Sequence, residues 1–237
     1  MSEITWILDP TTGGLIVEAR SMERASARLG DLLGPGAEVG CARPRVLLPP
    51  PVTAGPDSAN TPSLRIAGYY HDSLVEGPGR RSSVLVTGCT LGCQGCWVSA
   101  LHPVEAGTLV PADRLAEALL DPAYERDGTS ILGGEPFQQP EGLLGLVRAL
   151  RERGCPHILC YSGYTYEALR RWASRQPTIG AILDEIEMLI EGPYVEALAA
   201  GAGPWTGSAN QRVIDLQASR RAGSVIRWDG PIAECQR

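Results

Sequence analysis

The sequence predicts an α/β fold with a mostly parallel sheet, preceded by a small N-terminal extension. Three observations lead there. From Leu64 onward, short runs of Val, Ile and Leu alternate with amphipathic stretches, the pattern of successive right-handed βαβ units. The 237 residues, 43% of them hydrophobic, suffice for one ordinary core. Four of the loops that would leave strand C-termini, "TGCTLGCQGC", "GGEP", "YSGYT" and "IEGPY", carry glycine. In an α/β fold such loops meet on one edge of the sheet.

The elements follow in chain order. "ITWIL" and "GGLIVEA" read as two short strands, and "SMERASARLGDLL" as a helix stopped at Gly34-Pro35. Residues 49–62 are crowded with Pro, Gly and small polar residues and read as a linker. This divides the chain into an extension, residues 1–63, and a main domain, residues 64–237. "SLRIAGYY" and "SSVLVTG" are strands, and "PADRLAEALLD" is a helix with Pro at its start. "GTSILGG" is a strand, and "PEGLLGLVRALRERG" a helix ended by Gly154. "HILCYSG" is a strand, "TYEALRRWASR" a helix and "IEMLIEG" a strand; "QRVIDLQ" and "SVIRW" close the chain as strands.

Composition excludes several functions. The net charge is −6, and no basic stripe stands out, which argues against nucleic acid as partner. All 21 basic residues are Arg. Without Lys there is no Schiff base, no pyridoxal phosphate anchor and no phosphate-loop lysine. The N-terminus lacks the basic start and apolar core of a signal peptide, and the apolar runs are too short to span a bilayer. The cytoplasm is the expected compartment, where seven cysteines stay reduced and a dense cluster of them points to metal or catalysis.

That cluster is "GCTLGCQGCW". Cys89, Cys93 and Cys96 have the spacing C-x3-C-x2-C, and each follows a glycine. Gly88, Gly92 and Gly95 let the loop curl and its amides approach cluster sulfurs. Structural zinc wants four closing ligands, commonly as C-x2-C pairs. Ordinary electron-carrying [4Fe–4S] clusters take four cysteines. Three thiolates on a four-iron cube leave one iron open, the mark of a site that binds substrate. A zinc or four-cysteine site completed by Cys155, Cys160 or a His stays open as an alternative.

The C-x3-C-x2-C loop after a strand, the lead-in "VEGPGRRSSVLVTGC" and the later "GGEP" together resemble the radical S-adenosylmethionine (SAM) superfamily. "CYSGYTYEAL", "MLIEGPYVEAL" and "PWTGSANQRVIDL" are similar to the anaerobic ribonucleotide reductase activating enzymes within it. The resemblance covers roughly residues 64–216. Many members carry an aromatic residue just before the third cysteine, where this chain has Gly95.

The resemblance implies a partial (β/α) barrel, with Cys89, Cys93 and Cys96 holding a [4Fe–4S] cluster. It assigns the SAM amino group to Gly133, Gly134, Glu135 and Pro136, and places Ser162 and Gly163 beside the ribose or carboxylate. Ser162 reads equally as a polar cap on the following turn. Asn210, Gln211 and Arg212 either line the cofactor or brace a sheet edge. The implied chemistry is reductive cleavage of SAM to a 5′-deoxyadenosyl radical, fed by a flavodoxin or ferredoxin, with no catalytic side chain beyond cluster and SAM. The hydrogen atom would come from a glycine of a partner glycyl-radical enzyme such as an anaerobic ribonucleotide reductase. Two alternatives stand beside it: a radical SAM enzyme acting on a peptide or small metabolite, and a non-enzymatic iron–sulfur or zinc protein. Cys155 and Cys160 read as core thiols, Trp97 as a cover over the cluster, and Arg80 and Arg81 as solvated or partner-facing.

Overall fold

The computed structural model describes residues 4–8, 15–19 and 62–230. The chain separates into two compact units, residues 1–45 and 46–237. In the first, β1 (Ile4–Leu8) and β2 (Leu15–Ala19) form an antiparallel pair, with Trp6 opposite Val17. The predicted helix over residues 21–33 and the predicted linker lie outside the described residues, apart from Pro62.

The second unit is built on one seven-stranded sheet. Its strands are β3 (Ser63–Ser73), β4 (Arg81–Val86), β5 (Thr108–Pro111), β6 (Gly128–Gly133), β7 (Ile158–Ser162), β8 (Met188–Glu191) and β9 (Arg212–Asp215). Their order across the sheet is β5-β3-β4-β6-β7-β8-β9. The helices are α1 (Ala112–Leu119), α2 (Pro140–Glu152), α3 (Tyr166–Ala173), α4 (Pro177–Glu185) and α5 (Leu216–Ala222).

The mixed α/β class holds, but the sheet is less parallel than expected. Only the central pairs β4–β6, β6–β7 and β7–β8 run parallel. The pairs β3–β4, β3–β5 and β8–β9 are antiparallel. The reason is connection length. Residues 74–80 between β3 and β4 are too few for a helical crossover, so the chain turns back on itself. The sheet does not close into a barrel. "SVIRW" is not a strand either; it makes one isolated bridge, Arg227 to Ile214.

Two apolar layers cover the sheet. On one face Val84, Val86, Ile131, Ile158, Cys160 and Leu189 pack against Leu115, Leu143, Leu146, Leu150 and Ile182 from the helices. Leu159, Met188 and Ile190 belong to a separate cluster with Tyr161, Trp205, Val213 and Trp228. Adjacent residues of β7 and β8 thus fall into opposite layers, the period-two alternation of a strand buried on both sides.

Arg81 corrects a sequence expectation. It is buried, not solvated, at 1% exposure. Its Nε donates to Ser130 Oγ at 2.6 Å, Nη1 to the Pro78 carbonyl at 3.0 Å and Nη2 to the Thr129 carbonyl at 2.8 Å. Burial pushes its guanidinium down to about 10, and it remains a cation tying the start of β4 to β6. Arg80 pairs with Asp72 at 3.0 Å.

Candidate active site

The glycine-bearing loops after β4, β6, β7 and β8 meet at one sheet edge. The amide of Gly134 donates to the Val86 carbonyl at 2.7 Å, and that of Glu135 to the Gly88 carbonyl at 2.8 Å. The amide of Gly192 donates to the Ser162 carbonyl at 3.1 Å and to the Tyr164 carbonyl at 3.3 Å. Tyr166 N–H donates to Glu191 Oε2 at 2.9 Å.

The cysteine loop leaves β4 and curls outward. Gly88, Gly92 and Gly95 all adopt left-handed φ, at 87°, 61° and 70°, which residues with a Cβ rarely do. Cys89, Cys93 and Cys96 are all partly exposed. The loop is pinned at its base by Gly88 N–H to the Leu101 carbonyl, 2.8 Å, and Cys89 N–H to the His102 carbonyl, 3.0 Å. Burial pushes the Cys89 thiol up; an amide bond from Leu91 opposes this, and Glu135, Cys93 and Cys96 add to it. Glu135, Cys93 and Cys96 therefore each lie within electrostatic reach of the Cys89 sulfur.

These residues fit an iron–sulfur cluster. Among the described residues, the amides of Gly92, Cys93, Gln94 and Gly95 donate to no protein acceptor, leaving a run of free N–H groups of the kind that tunes a cluster. No three His, Cys, Asp or Glu side chains among the described residues converge on a single ion. Thiolates that each take a different iron of a cube stand farther apart than thiolates sharing one ion.

The β6 loop is seated by close approach. A Cβ on Gly134 would stand 2.5 Å from the Gly88 carbonyl oxygen, and one on Gly133 would stand 2.5 Å from the Val86 oxygen. These glycines let the loop lie directly on the backbone that opens the cysteine loop. Pro136 and Phe137 anchor it in the core.

Glu135 is fully buried. Its Oε1 accepts from Phe137 N–H at 3.0 Å and from the Ser162 hydroxyl at 3.0 Å; its Oε2 accepts from Gly163 N–H at 2.7 Å. Burial pushes the carboxyl up to about 7, against the pull of the Gly163 and Phe137 amides and the Ser162 hydroxyl. Ser162 also accepts from Tyr164 N–H at 3.1 Å. Glu135, Ser162 and Gly163, reached separately from sequence, thus form one hydrogen-bonded unit. The N-cap of α3 is Thr165 rather than Ser162, its hydroxyl accepting from Ala168 N–H at 3.2 Å.

Asn210, Gln211 and Arg212 act as braces. Asn210 Nδ2 donates to the Pro193 carbonyl at 2.7 Å and Gln211 Nε2 to the Gly192 carbonyl at 2.8 Å. Arg212 pairs with the buried Glu191 and, at 2.7 Å, with Glu167. Cys155 and Cys160 lie in the core, and burial raises the Cys160 thiol well above its ordinary value. Trp97 does not cover the loop tightly; it is 72% exposed, its ring 5.7 Å from that of Tyr194.

Sequence reasoning missed Gln138. Its Nε2 donates to Thr90 Oγ1 at 2.7 Å and to Tyr164 Oη at 2.8 Å, while its Oε1 accepts from Thr90 N–H at 3.1 Å. It joins three loops at once. Its place two residues after "GGEP" was the available signal.

The family model described as a 4Fe-4S single cluster domain matches residues 75–214. The chain is 33% identical over 156 residues to the anaerobic ribonucleoside-triphosphate reductase-activating protein of Escherichia coli (strain K12), 63% of this chain and 97% of the relative. It is 32% identical over 150 residues to the protein of that name from Vibrio cholerae, 60% and 92%. It is 33% identical over 106 residues to the pyruvate formate-lyase-activating enzyme of Clostridium pasteurianum, 43% and 44%.

Proposed function

Since the chain belongs to the 4Fe-4S single cluster domain family, among its radical SAM activating enzymes, we propose that it installs a glycyl radical in a partner enzyme of the anaerobic ribonucleotide reductase type. The observation that carries this is the meeting of the three-cysteine loop with the buried Glu135–Ser162–Gly163 unit at one sheet edge.

A [4Fe–4S] cluster with SAM supplies, when bound, a one-electron reductive cleavage whose product removes a hydrogen atom. The chain's own residues position and shield. Cys89, Cys93 and Cys96 would hold the cluster, three thiolates for four irons, so that one iron would be open to SAM. Gly133, Gly134, Glu135 and Pro136 receive the SAM ammonium, with Glu135 supplying negative charge when ionised. Ser162 and Gly163 fix the carboxylate of Glu135 and stand beside the ligand's ribose or carboxylate. Gln138 keeps Thr90, and with it the cysteine loop, in register. No side chain is required as a proton-transfer catalyst.

Around the cysteine loop Trp97, Val98, Val104, Val195 and Leu198 are exposed, an apolar rim where a partner's glycine loop can enter. A flavodoxin or ferredoxin supplies the electron. Residues 1–63 act as an appendage to a domain over residues 64–237 that folds as a partial (β/α) barrel.

The test is anaerobic reconstitution with iron and sulfide, then SAM, a reductant and the partner reductase. The expected result is one methionine and one 5′-deoxyadenosine per glycyl radical seen by electron spin resonance. SAM cleavage that proceeds only with a small molecule, and never produces a partner radical, would overturn the assignment.

A further inference from the structure

Gly95 lies between two of the cysteines and offers no side chain of its own. A Cβ built on it would stand 2.6 Å from Cδ of Glu196 and 2.8 and 2.9 Å from the two carboxylate oxygens. The space a side chain at 95 would take is therefore filled from another loop, by an acid. Glu196 opens the 3-10 turn Glu196–Gly201 and is exposed. Among the described residues no basic side chain comes within ion-pair distance of it.

Backbone ties, not an ion pair, hold the segment there. Val195 N–H donates to Ser208 Oγ at 3.1 Å, Ala209 N–H donates to the Leu198 carbonyl at 3.0 Å, and Tyr194 packs on Trp97. The result is a backbone segment that sets the Glu196 carboxylate beside the loop that carries Cys93 and Cys96, with no cation among the described residues paired to it.

We propose that Glu196 is a positioning charge that holds down the reduction potential of the cluster, seated in the space that Gly95, required there by its left-handed φ, leaves open. The inference rests on the cluster-binding reading above. A cube held by three thiolates gains negative charge when it takes up an electron, and a fixed negative neighbour opposes that gain. The lower the potential, the stronger the reductant the cluster becomes toward a bound sulfonium. Because Glu196 is exposed, its influence is screened by salt.

The full chain, reconstituted anaerobically, is titrated to obtain the cluster midpoint by electron spin resonance, for the wild type and for E196Q and E196D. At equal iron and sulfide content, E196Q titrates at a more positive potential than the wild type, and the difference shrinks as salt is raised. E196D, which keeps the charge, stays near the wild type. An E196Q midpoint equal to that of the wild type overturns the proposal, even if partner affinity falls. Loss of iron from E196Q also overturns it, by making Glu196 a scaffold or ligand. A wild type that assembles no cluster is a different failure and sinks the cluster reading itself.

Discussion

Replacing Glu135 by Gln removes a buried acid whose proton is linked to folding. Burial raises its carboxyl from an ordinary 4.5 to about 7, a difference of about 3 kcal/mol between the two protonation states. Between those values the folded chain binds the proton and the unfolded chain releases it. The stabilisation tied to that proton is complete below the unfolded value and is lost as pH rises through about 7. Wild-type stability should therefore fall by about 1.4 kcal/mol per pH unit relative to E135Q across that window, and the two profiles should run parallel above it. Urea unfolding of the iron-free, reduced protein at intervals from about pH 5.5 to 8.5 measures this. E135Q has its own constant cost, since an amide nitrogen can face Gly163 N–H, but that offset carries no slope. Profiles that stay parallel throughout would show that Glu135 is already ionised in the fold, and the account of its burial would be wrong.

Gly134→Ala drives a methyl group to within 2.5 Å of the Gly88 carbonyl oxygen, and the three nearest atoms are all Gly88 backbone. Iron content after reconstitution should fall several-fold while far-ultraviolet circular dichroism stays near that of the wild type. Arg212→Ala strips the buried Glu191 of its cationic partner, leaving only the Tyr166 N–H among the described residues; unfolding should show a loss of about 3 kcal/mol, much of it regained in R212A/E191Q. Gln138→Leu releases Thr90, and amide hydrogen exchange should rise in residues 89–96 without a comparable change in the core strands. Exchange equal to the wild type in that loop would mean the three-way brace holds nothing.

The parts of the site legible in the sequence are those that follow from local spacing. C-x3-C-x2-C, the glycines beside it and the loop after β6 are contiguous, and the alternation of apolar runs with helices placed them at strand ends. What escaped depends on partners distant in sequence. Glu196 meets Gly95, 101 positions away, and only the packing of two loops shows it. The antiparallel turn of β3 escaped because its apolar run reads the same in either direction. α4 escaped because "PTIGAILDE" has a Gly and β-branched residues inside it, which dilute helix propensity; burial of Ile179, Ile182 and Leu183 overrides that. "SVIRW" has strand composition, but β9 accepts it only at Arg227. Arg81 looked solvated because charge usually is; the Ser130 hydroxyl and Thr129 carbonyl that help satisfy it come from β6, far away in sequence.

The most direct measurement is Mössbauer spectroscopy of the anaerobic protein carrying iron-57, before and after SAM. Three thiolates on a cube predict one iron in four with its own isomer shift, and SAM should move that signal while leaving the other three in place. Four equivalent irons, indifferent to SAM, would mean that the protein itself closes the cube, and the proposed chemistry would have no place to begin.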